Sequence, residues 1–345
     1  MTTSPLVSIV VPTHNRKQSL QQTLASLAKQ TFPPDCFEVI VVDDGSTDGT
    51  ETVRKQTFPF FLRYIRQDHQ GDALARNRGA EESRADLLVF LDDDITVAPE
   101  YVDSLAKEHR DSKPQIVNGL LYPAPVNNPN PFRKIYSEID SNSLTEQMHF
   151  VENLSGVLCI KRQDYMDIGM MEHLPVPGSS LWAGVEFAYR AYLRGFSFKR
   201  CLSAVAYHND YALSDLSTCC RRSYRAASAA VLLFHKHPEL LPLLPMFRDK
   251  TPIVWGREAA ALIARKVARR SASSLPVLWA MERLVHLLEQ YCPSPALLRP
   301  LYRWIIGGYI FRGFRDGLRK YGPIPSCKDE QVTLLLPRHS VSEEK

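Results

Sequence analysis

Three consecutive carboxylates, Asp92-Asp93-Asp94, follow directly on the apolar run Leu87-Leu88-Val89-Phe90-Leu91. A short continuous apolar run reads as a strand buried on both faces, as in a parallel sheet. Acids at the end of such a strand do not belong to a core, because an unpaired buried ion costs on the order of several kcal/mol. They face a cation, a basic partner or water at the carboxyl edge of the sheet, where open α/β sheets place their ligands. Oxygen ligands at i and i+2, here Asp92 and Asp94, suit Mg²⁺ or Mn²⁺, and such an ion suits a diphosphate. By itself a three-acid turn reads as solvated surface; the upstream sequence shifts that balance.

The elements that position these acids alternate. Val7-Ser8-Ile9-Val10-Val11 is a buried strand ended by Pro12, and Thr13-His14-Asn15-Arg16 makes a polar turn into a helix over 17–30 with Leu20, Leu24 and Leu27 on one face. A second strand, 38–42, ends in Asp43-Asp44-Gly45-Ser46-Thr47-Asp48, where two acids again close a strand and the following residues allow a tight turn and a helix cap. A third strand spans 60–65. Gln70-Gly71 opens a helix over 72–83 carrying Arg76 and Arg78, and the fourth strand is 87–91. This alternation predicts a parallel, right-handed, doubly wound sheet. Beyond it the pattern predicts a helix over 99–110, strands over 115–121 and 156–160, a Pro/Asn-rich loop over 123–131 and a mobile flap over 132–150. A loop over 174–180 then leads to Trp182 and a helix over 185–193, and one or two strands over 196–207 end at His208. From 216 onward the periodicity is helical, over 219–235, 255–269, 275–291 and 297–320, with a polar, disordered tail over 326–345.

Charge is unevenly spread. The chain has a net charge of +4, yet residues 216–320 hold 18 Lys/Arg against 6 Asp/Glu. A basic helical segment of this kind is solvated surface or a contact for an anionic membrane. Nucleic acid is not expected, since no nucleic-acid motif accompanies the charge. On the last helix Leu298, Leu301, Ile305 and Tyr309 recur at helical spacing among Arg303, Arg312, Arg315, Arg319 and Lys320; packing on the catalytic domain accounts for the apolar residues, and weak, salt-sensitive contact with an anionic membrane for the charge. The 7 cysteines show no CxxC and no zinc spacing, which points to reduced thiols. Met1–Leu6 carries neither a basic n-region nor a long apolar stretch, and no run approaches the roughly 18 residues of a membrane span. The expectation is a cytoplasmic protein, peripheral on the inner face of the cell membrane.

Four blocks together resemble family 2 of the inverting glycosyltransferases: residues 7–16, Val42-Asp43-Asp44-Gly45-Ser46-Thr47-Asp48, Gly71 with Ala75-Arg76-Asn77-Arg78-Gly79, and Phe90-Leu91-Asp92-Asp93-Asp94, in that order and spacing. The resemblance covers roughly residues 6–210. It implies the GT-A fold, a Rossmann-like α/β architecture with a mixed, mostly parallel sheet flanked by helices, here followed by a C-terminal helical extension. It implies a glycosyltransferase domain over 1–215 (a nucleotide-sugar half to about 122, an acceptor half from 123), a basic helical region over 216–325 and the tail.

By the same resemblance Pro12, Thr13, Asn15, Asp43, Asp44, Gly71, Arg76, Asp92 and Asp93 bind the nucleotide-diphosphate sugar, and Asp92, Asp94 and His208 hold Mn²⁺ or Mg²⁺. Trp182 would stack on an acceptor sugar, a glycan or a lipid-linked one; a core tryptophan is the plainer reading. Arg76 is either a diphosphate contact or a surface charge on a helix. One departure stands out. The family's Glu-Asp pair, whose second acid is the general base, is replaced by Ala183-Gly184 ahead of Glu186-Phe187-Ala188-Tyr189-Arg190. Glu186 is the nearest acid and the first candidate for the base, although its i,i+4 spacing to Arg190 equally makes it structural. The expected function is metal-assisted, inverting sugar transfer; the alternative is a sugar-nucleotide-binding homologue with impaired catalysis.

Overall fold

Runs that are apolar on both faces become the centre of a sheet. In the computed structural model, which describes residues 4–110, 113–136, 145–173, 176, 180–256 and 258–325, the strands β1 (Val7–Thr13), β2 (Phe37–Asp44) and β4 (Leu87–Leu91) are buried along their whole length. With β3 (Phe61–Gln67), β5 (Ile95–Val97), β6 (Gln115–Pro123), β7 (Val157–Lys161) and β8 (Ser197–His208) they form one eight-stranded mixed sheet in the order β3-β2-β1-β4-β7-β6-β8-β5. The half from β3 to β4 is parallel. β7 runs antiparallel to both β4 and β6, β6 pairs parallel with β8, and β5 antiparallel with β8. The parallel half has the strands that the apolar runs predict, and the stretch near 196–207 is one long strand.

Register brings the strand ends together. Thr13 lies opposite Asp43 across β1 and β2, and Val10 opposite Phe90 across β1 and β4, so the turn after β1 sits between the two acid-bearing ends. Helices α1 (Lys17–Leu27), α2 (Asp72–Glu82) and α3 (Tyr101–Glu108) flank the sheet. α2 packs unusually close to β1, because Gly79 leaves no room for even a Cβ against the Val10 side chain. Two short elements were not foreseen, β5 and the helix α5 (Arg162–Ile168).

The chain separates into two compact units. One comprises residues 1–125, 139–175 and 183–210 and holds the whole sheet; the other comprises 126–138, 176–182 and 211–345. Within the second are α4 (Pro131–Tyr136), α7 (Leu216–Lys236), α8 (Ala260–Ala272), α9 (Leu275–Tyr291) and α10 (Pro295–Tyr321). α6 (Ser180–Leu193) begins in the second unit and continues in the first. Asp215 caps α7 by accepting from the Thr218 backbone N–H at 2.8 Å.

α10 is the core of the second unit. Of the stripe read from the sequence, Leu298 and Ile305 are buried and Leu301 and Tyr309 half-buried, and Tyr302, Ile306, Ile310 and Phe314 are buried beside them. α7 and α10 approach through glycines. A Cβ at Gly313 would lie inside contact distance of the Tyr224 carbonyl oxygen, and one at Gly317 would lie 2.6 Å from that of Ser228. Among the described residues no helix is long and apolar enough to cross a membrane. Of the flap expected over 132–150, residues 132–136 are the end of α4; 137–144, like the tail over 326–345, lie outside the described residues.

Candidate active site

The three acids after β4 have three different sets of partners. Asp92 takes the Arg76 guanidinium, which also donates to Asp72 at 2.6 Å. Asp93 accepts from Thr13 Oγ1 at 2.7 Å and from Arg16 Nη1 at 3.1 Å. Asp94 accepts from the same Arg16 nitrogen at 2.7 Å, and its Oδ1 faces His208 Nε2 at 3.2 Å. The backbone explains why His208 is there. Ile95 pairs with His208 across β5 and β8, and the Asn209 N–H donates to the Asp94 carbonyl at 2.9 Å. Gly156 is equally necessary, since any Cβ at that position would overlap the Asp92 carboxylate.

Burial and charge set the protonation of the group. Burial pushes the Asp93 carboxyl up to about 6, against the pull of Arg16 and Thr13 and with help from Asp94 and Asp92. Burial also acts to raise Asp94, but His208 and Arg16 outweigh it and hold that carboxyl below its usual range. His208 moves the opposite way: burial disfavours its charge, yet Asp94, Asp210 and Asp92 raise its pKa. Asp94 is therefore an anion at neutral pH. Its Oδ1 is buried without a hydrogen-bond donor in line, the His208 nitrogen being near enough for an ion pair but not oriented as a hydrogen bond.

That orphaned oxygen is the test of whether a divalent cation suits the site. Among the described residues no group of three or more His, Cys, Asp or Glu is placed to hold a metal ion by itself. Mn²⁺ and Mg²⁺ do not require one, because they bind through one or two protein ligands and fill their remaining positions with water and phosphate oxygen. A buried carboxylate oxygen beside an imidazole is such a partial set, and the residues suit the ion.

The ends of β1, β2 and β3 make the other half of the edge. Asp43 is fully buried, accepts from the Ser46 N–H at 2.8 Å and from the Tyr64 hydroxyl, and has Arg66 at 3.6 Å. Asp44 has both oxygens occupied: Gln67 Nε2 at 2.7 Å and the Gln70 N–H at 2.8 Å reach one, while the Gly71 N–H and His69 Nδ1, each at 2.8 Å, reach the other. Four partners fill a carboxylate. As placed, Asp44 fixes the turn that opens α2. Gly71 is needed there because its φ is +98° and a Cβ would come within 2.8 Å of the His173 ring. Asn15, at φ +53°, locks the turn after β1 onto the turn after β2, its N–H donating to Ser46 Oγ and its Oδ1 accepting from the Thr47 N–H. Pro12 is buried at the end of β1.

Several residues sit otherwise than the sequence suggested. Arg76 is not a surface charge; it is buried between Asp72 and Asp92, with Nε unpaired. Trp182 is 1% exposed, its indole N–H donates to the Ala226 carbonyl at 2.6 Å, and its ring packs 5.9 Å from Phe247. A ring enclosed in this way offers no face to a sugar, so its assignment to the acceptor is corrected to a core position. Glu186 is 3% exposed and receives Arg190 Nε at 3.0 and 2.9 Å; Arg190 in turn donates to the carbonyls of Ile168 and Met170. Gly184 has the Ser155 Cβ 2.9 Å from where its own Cβ would stand, so the missing family acid has no ready space. Sequence reasoning passed over Arg16, which joins Asp93 and Asp94, and the rings of His14 and His69, which stack with centroids 4.2 Å apart over the Asp44 carbonyl. Arg16 stood inside the quoted turn, but only the adjacency of β1 and β4 in the sheet shows what it faces.

Comparison with known proteins agrees with this geometry. Residues 8–161 match the model of the family described as Glycosyl transferase family 2. Over 131 residues the chain is 43% identical to a validoxylamine A glucosyltransferase of Streptomyces hygroscopicus subsp. limoneus, covering 37% of this chain and 29% of that protein. Over 107 residues it is 36% identical to the glycosyltransferase AglE of Haloferax volcanii, covering 29% and 34%. The chain thus spans about a third of the length of these curated relatives. Among solved structures, a mannosyltransferase from Pyrobaculum calidifontis, determined with GDP-Man and Mn²⁺, superposes with a TM-score of 0.57 at 18% identity over 90% of this chain and 88% of that one, a likeness of fold. Residues 8–161, which hold the acid-bearing strand ends, are thus similar to glycosyl transferase family 2.

Proposed function

We propose that this chain transfers a hexosyl group from a nucleotide-diphosphate sugar to a hydroxyl of a glycan or lipid-linked acceptor, with inversion and with Mn²⁺ or Mg²⁺ bound. The observation that carries the reading is the buried, orphaned Asp94 Oδ1 beside His208, at the end of a strand whose other acids are already matched. Asp94 and His208, with Asp92 alongside, would hold the ion. A bound divalent cation neutralises the charge that gathers on the diphosphate as the glycosidic bond breaks. Support for the donor comes from the mannosyltransferase of like fold, which was solved with GDP-Man and Mn²⁺, and from relatives named for glucosyl transfer.

In this reading Thr13, Asn15, Asp43 and Asp44 frame the nucleoside end. Their hydrogen bonds to Asp93, Ser46, Thr47, Gln70 and Gly71 preset the turns, so little ordering is left for the donor to bring about. Arg76 lies on the diphosphate side, anchored by Asp72 and Asp92. The acceptor's proton needs a base. Ala183 and Gly184 have none to offer, and Glu186 has to leave Arg190 to serve as one. The setting that goes with these partners is the cytoplasmic face of an anionic membrane, in polysaccharide or glycolipid assembly.

A thermal-shift screen of UDP- and GDP-sugars with and without Mn²⁺, followed by assay of nucleoside-diphosphate release, tests the proposal. The expected result is stabilisation by one donor class that depends on the ion, with turnover. If no donor shifts the melting temperature in either condition, the donor site is misassigned.

A further inference from the structure

Helix α9 has two apolar stripes and can turn only one of them inward. Leu278 and Val285 are buried, with Met281 and Leu288 beside them. Val277, Ala280, Leu284, Leu287 and Tyr291, spaced 3, 4, 3 and 4 residues apart, fall on an adjoining side of the helix and are exposed. Leu287 is 52% and Tyr291 75% exposed, values far above what a packed leucine or tyrosine shows. Trp279, 60% exposed, stands to one side of this stripe with the Arg283 guanidinium 5.5 Å from its ring centre.

The charges on α9 are sorted as well. Its two acids are turned toward α10: Glu282 accepts from the Tyr309 hydroxyl at 2.8 Å and Glu289 from the Tyr302 hydroxyl at 2.6 Å. Arg283 is the third charged residue of the helix and lies on the exposed side. Arg270 is exposed five residues before α9 begins. The outward face is therefore aliphatic and aromatic, edged by cations and cleared of anions.

We infer that this face of α9 lies on an anionic lipid surface, with Leu284 and Leu287 entering the headgroup–acyl boundary and Trp279, Tyr291 and Arg283 at its rim. An interfacial helix needs this composition: an apolar face to bury, aromatic rings at the boundary and cations toward anionic headgroups. A second copy of the chain matches the face less well, because pairing along the seam brings Arg283 to a surface with no acid to receive it. The inference rests on the proposed membrane partner and moves the contact from α10, most of whose apolar residues are covered, to α9.

Co-sedimentation of the full chain with vesicles of phosphatidylglycerol and phosphatidylcholine, beside vesicles of phosphatidylcholine alone, tests it. The double variant Leu284→Asp/Leu287→Asp is expected to lower partitioning into the anionic vesicles by on the order of tenfold or more, since two leucines lose their burial. Arg283→Gln is expected to lower it about fivefold and to flatten its salt dependence. Sugar transfer to a soluble acceptor stays unchanged in both. Anionic-vesicle binding that survives the double variant overturns the inference and leaves the membrane reading standing. Absence of binding at low salt overturns both. A concentration-dependent dimer that the double variant abolishes, without vesicle binding, gives the face to a second copy and also overturns it.

Discussion

The carboxyl edge of the parallel strands and the α7–α10 helix pair are both held by close contact, but with opposite materials. At the strand edge the contact is polar. Asp44 is surrounded by four donors and Asp93 by two, and Arg16 joins the Asp93 and Asp94 carboxylates. Between α7 and α10 the closest approach depends on an absence of side chain: Gly313 and Gly317 let the helix backbones meet at the carbonyls of Tyr224 and Ser228, beside the Phe234–Phe314 ring contact and the Tyr224–Asp316 hydrogen bond. The first arrangement tolerates changes of volume better than changes of charge, and the second the reverse. Substitutions that alter one property at a time separate the two.

The largest effect is expected where charge and burial coincide in the sheet-bearing unit, at Glu186. Glu186→Gln keeps the shape and removes the buried charge opposite Arg190, a half-buried cation that also donates to the carbonyls at 168 and 170. Breaking a buried pair from one side costs about 3–5 kcal/mol. Denaturant unfolding should show that loss, while turnover per folded molecule at low temperature stays near that of the wild type. If stability holds and turnover drops by about 10²–10⁴, Glu186 is the general base and its ion pair opens during the reaction.

Next comes Asp94→Ala. Arg16 keeps Asp93, so the fold should survive, with an unchanged melting temperature without donor. Metal-supported nucleotide binding should disappear, and turnover should fall by on the order of 10²–10³. Equal Mn²⁺-dependent binding in variant and wild type would show that Asp94 does not hold the ion.

These two sites also show what a sequence can carry. The run 87–91 with its acids, the strand ends at Asp43-Asp44 and the helix opened by Gly71 are local patterns, and local patterns are legible one residue after another. So were the parallel half of the sheet and the extents of α2 and α9. What escaped depends on neighbours distant in sequence. The partners of Arg16 lie 77 and 78 residues away, and Trp182 is enclosed by residues more than forty positions downstream. On α10 the periodicity was legible, but a stripe of Leu, Ile and Tyr marks a face to be covered and not what covers it. α5 is only seven residues long, with little room for a period to show.

Gly313→Ala adds one methyl group and no charge. That Cβ would overlap a backbone oxygen, which cannot rotate aside as a side chain can, so α7 and α10 must separate. Overpacking of this kind costs about 1–3 kcal/mol. The expected signature is a lowered unfolding midpoint, with Mn²⁺-dependent donor binding preserved in the folded protein. Loss of donor binding at unchanged stability would contradict the division into a charge-sensitive edge and a volume-sensitive helix pair.

The smallest effect tests one of the polar contacts of the helical unit. Tyr309→Phe keeps the ring and removes the hydroxyl that donates to Glu282 at 2.8 Å. The loss of one hydrogen bond costs about 0.5–1.5 kcal/mol, a modest fall in unfolding midpoint beside the changes above. The second consequence is electrostatic. Glu282 adjoins Arg283 in the chain, and once released it is free to swing toward that guanidinium and offset the cation at the rim of the exposed face. Vesicle partitioning should therefore weaken, by less than in Arg283→Gln and with the same sensitivity to salt. If Tyr309→Phe lowers stability but leaves partitioning untouched, the inward turn of Glu282 serves packing alone, and the charge sorting on α9 is a by-product of the core.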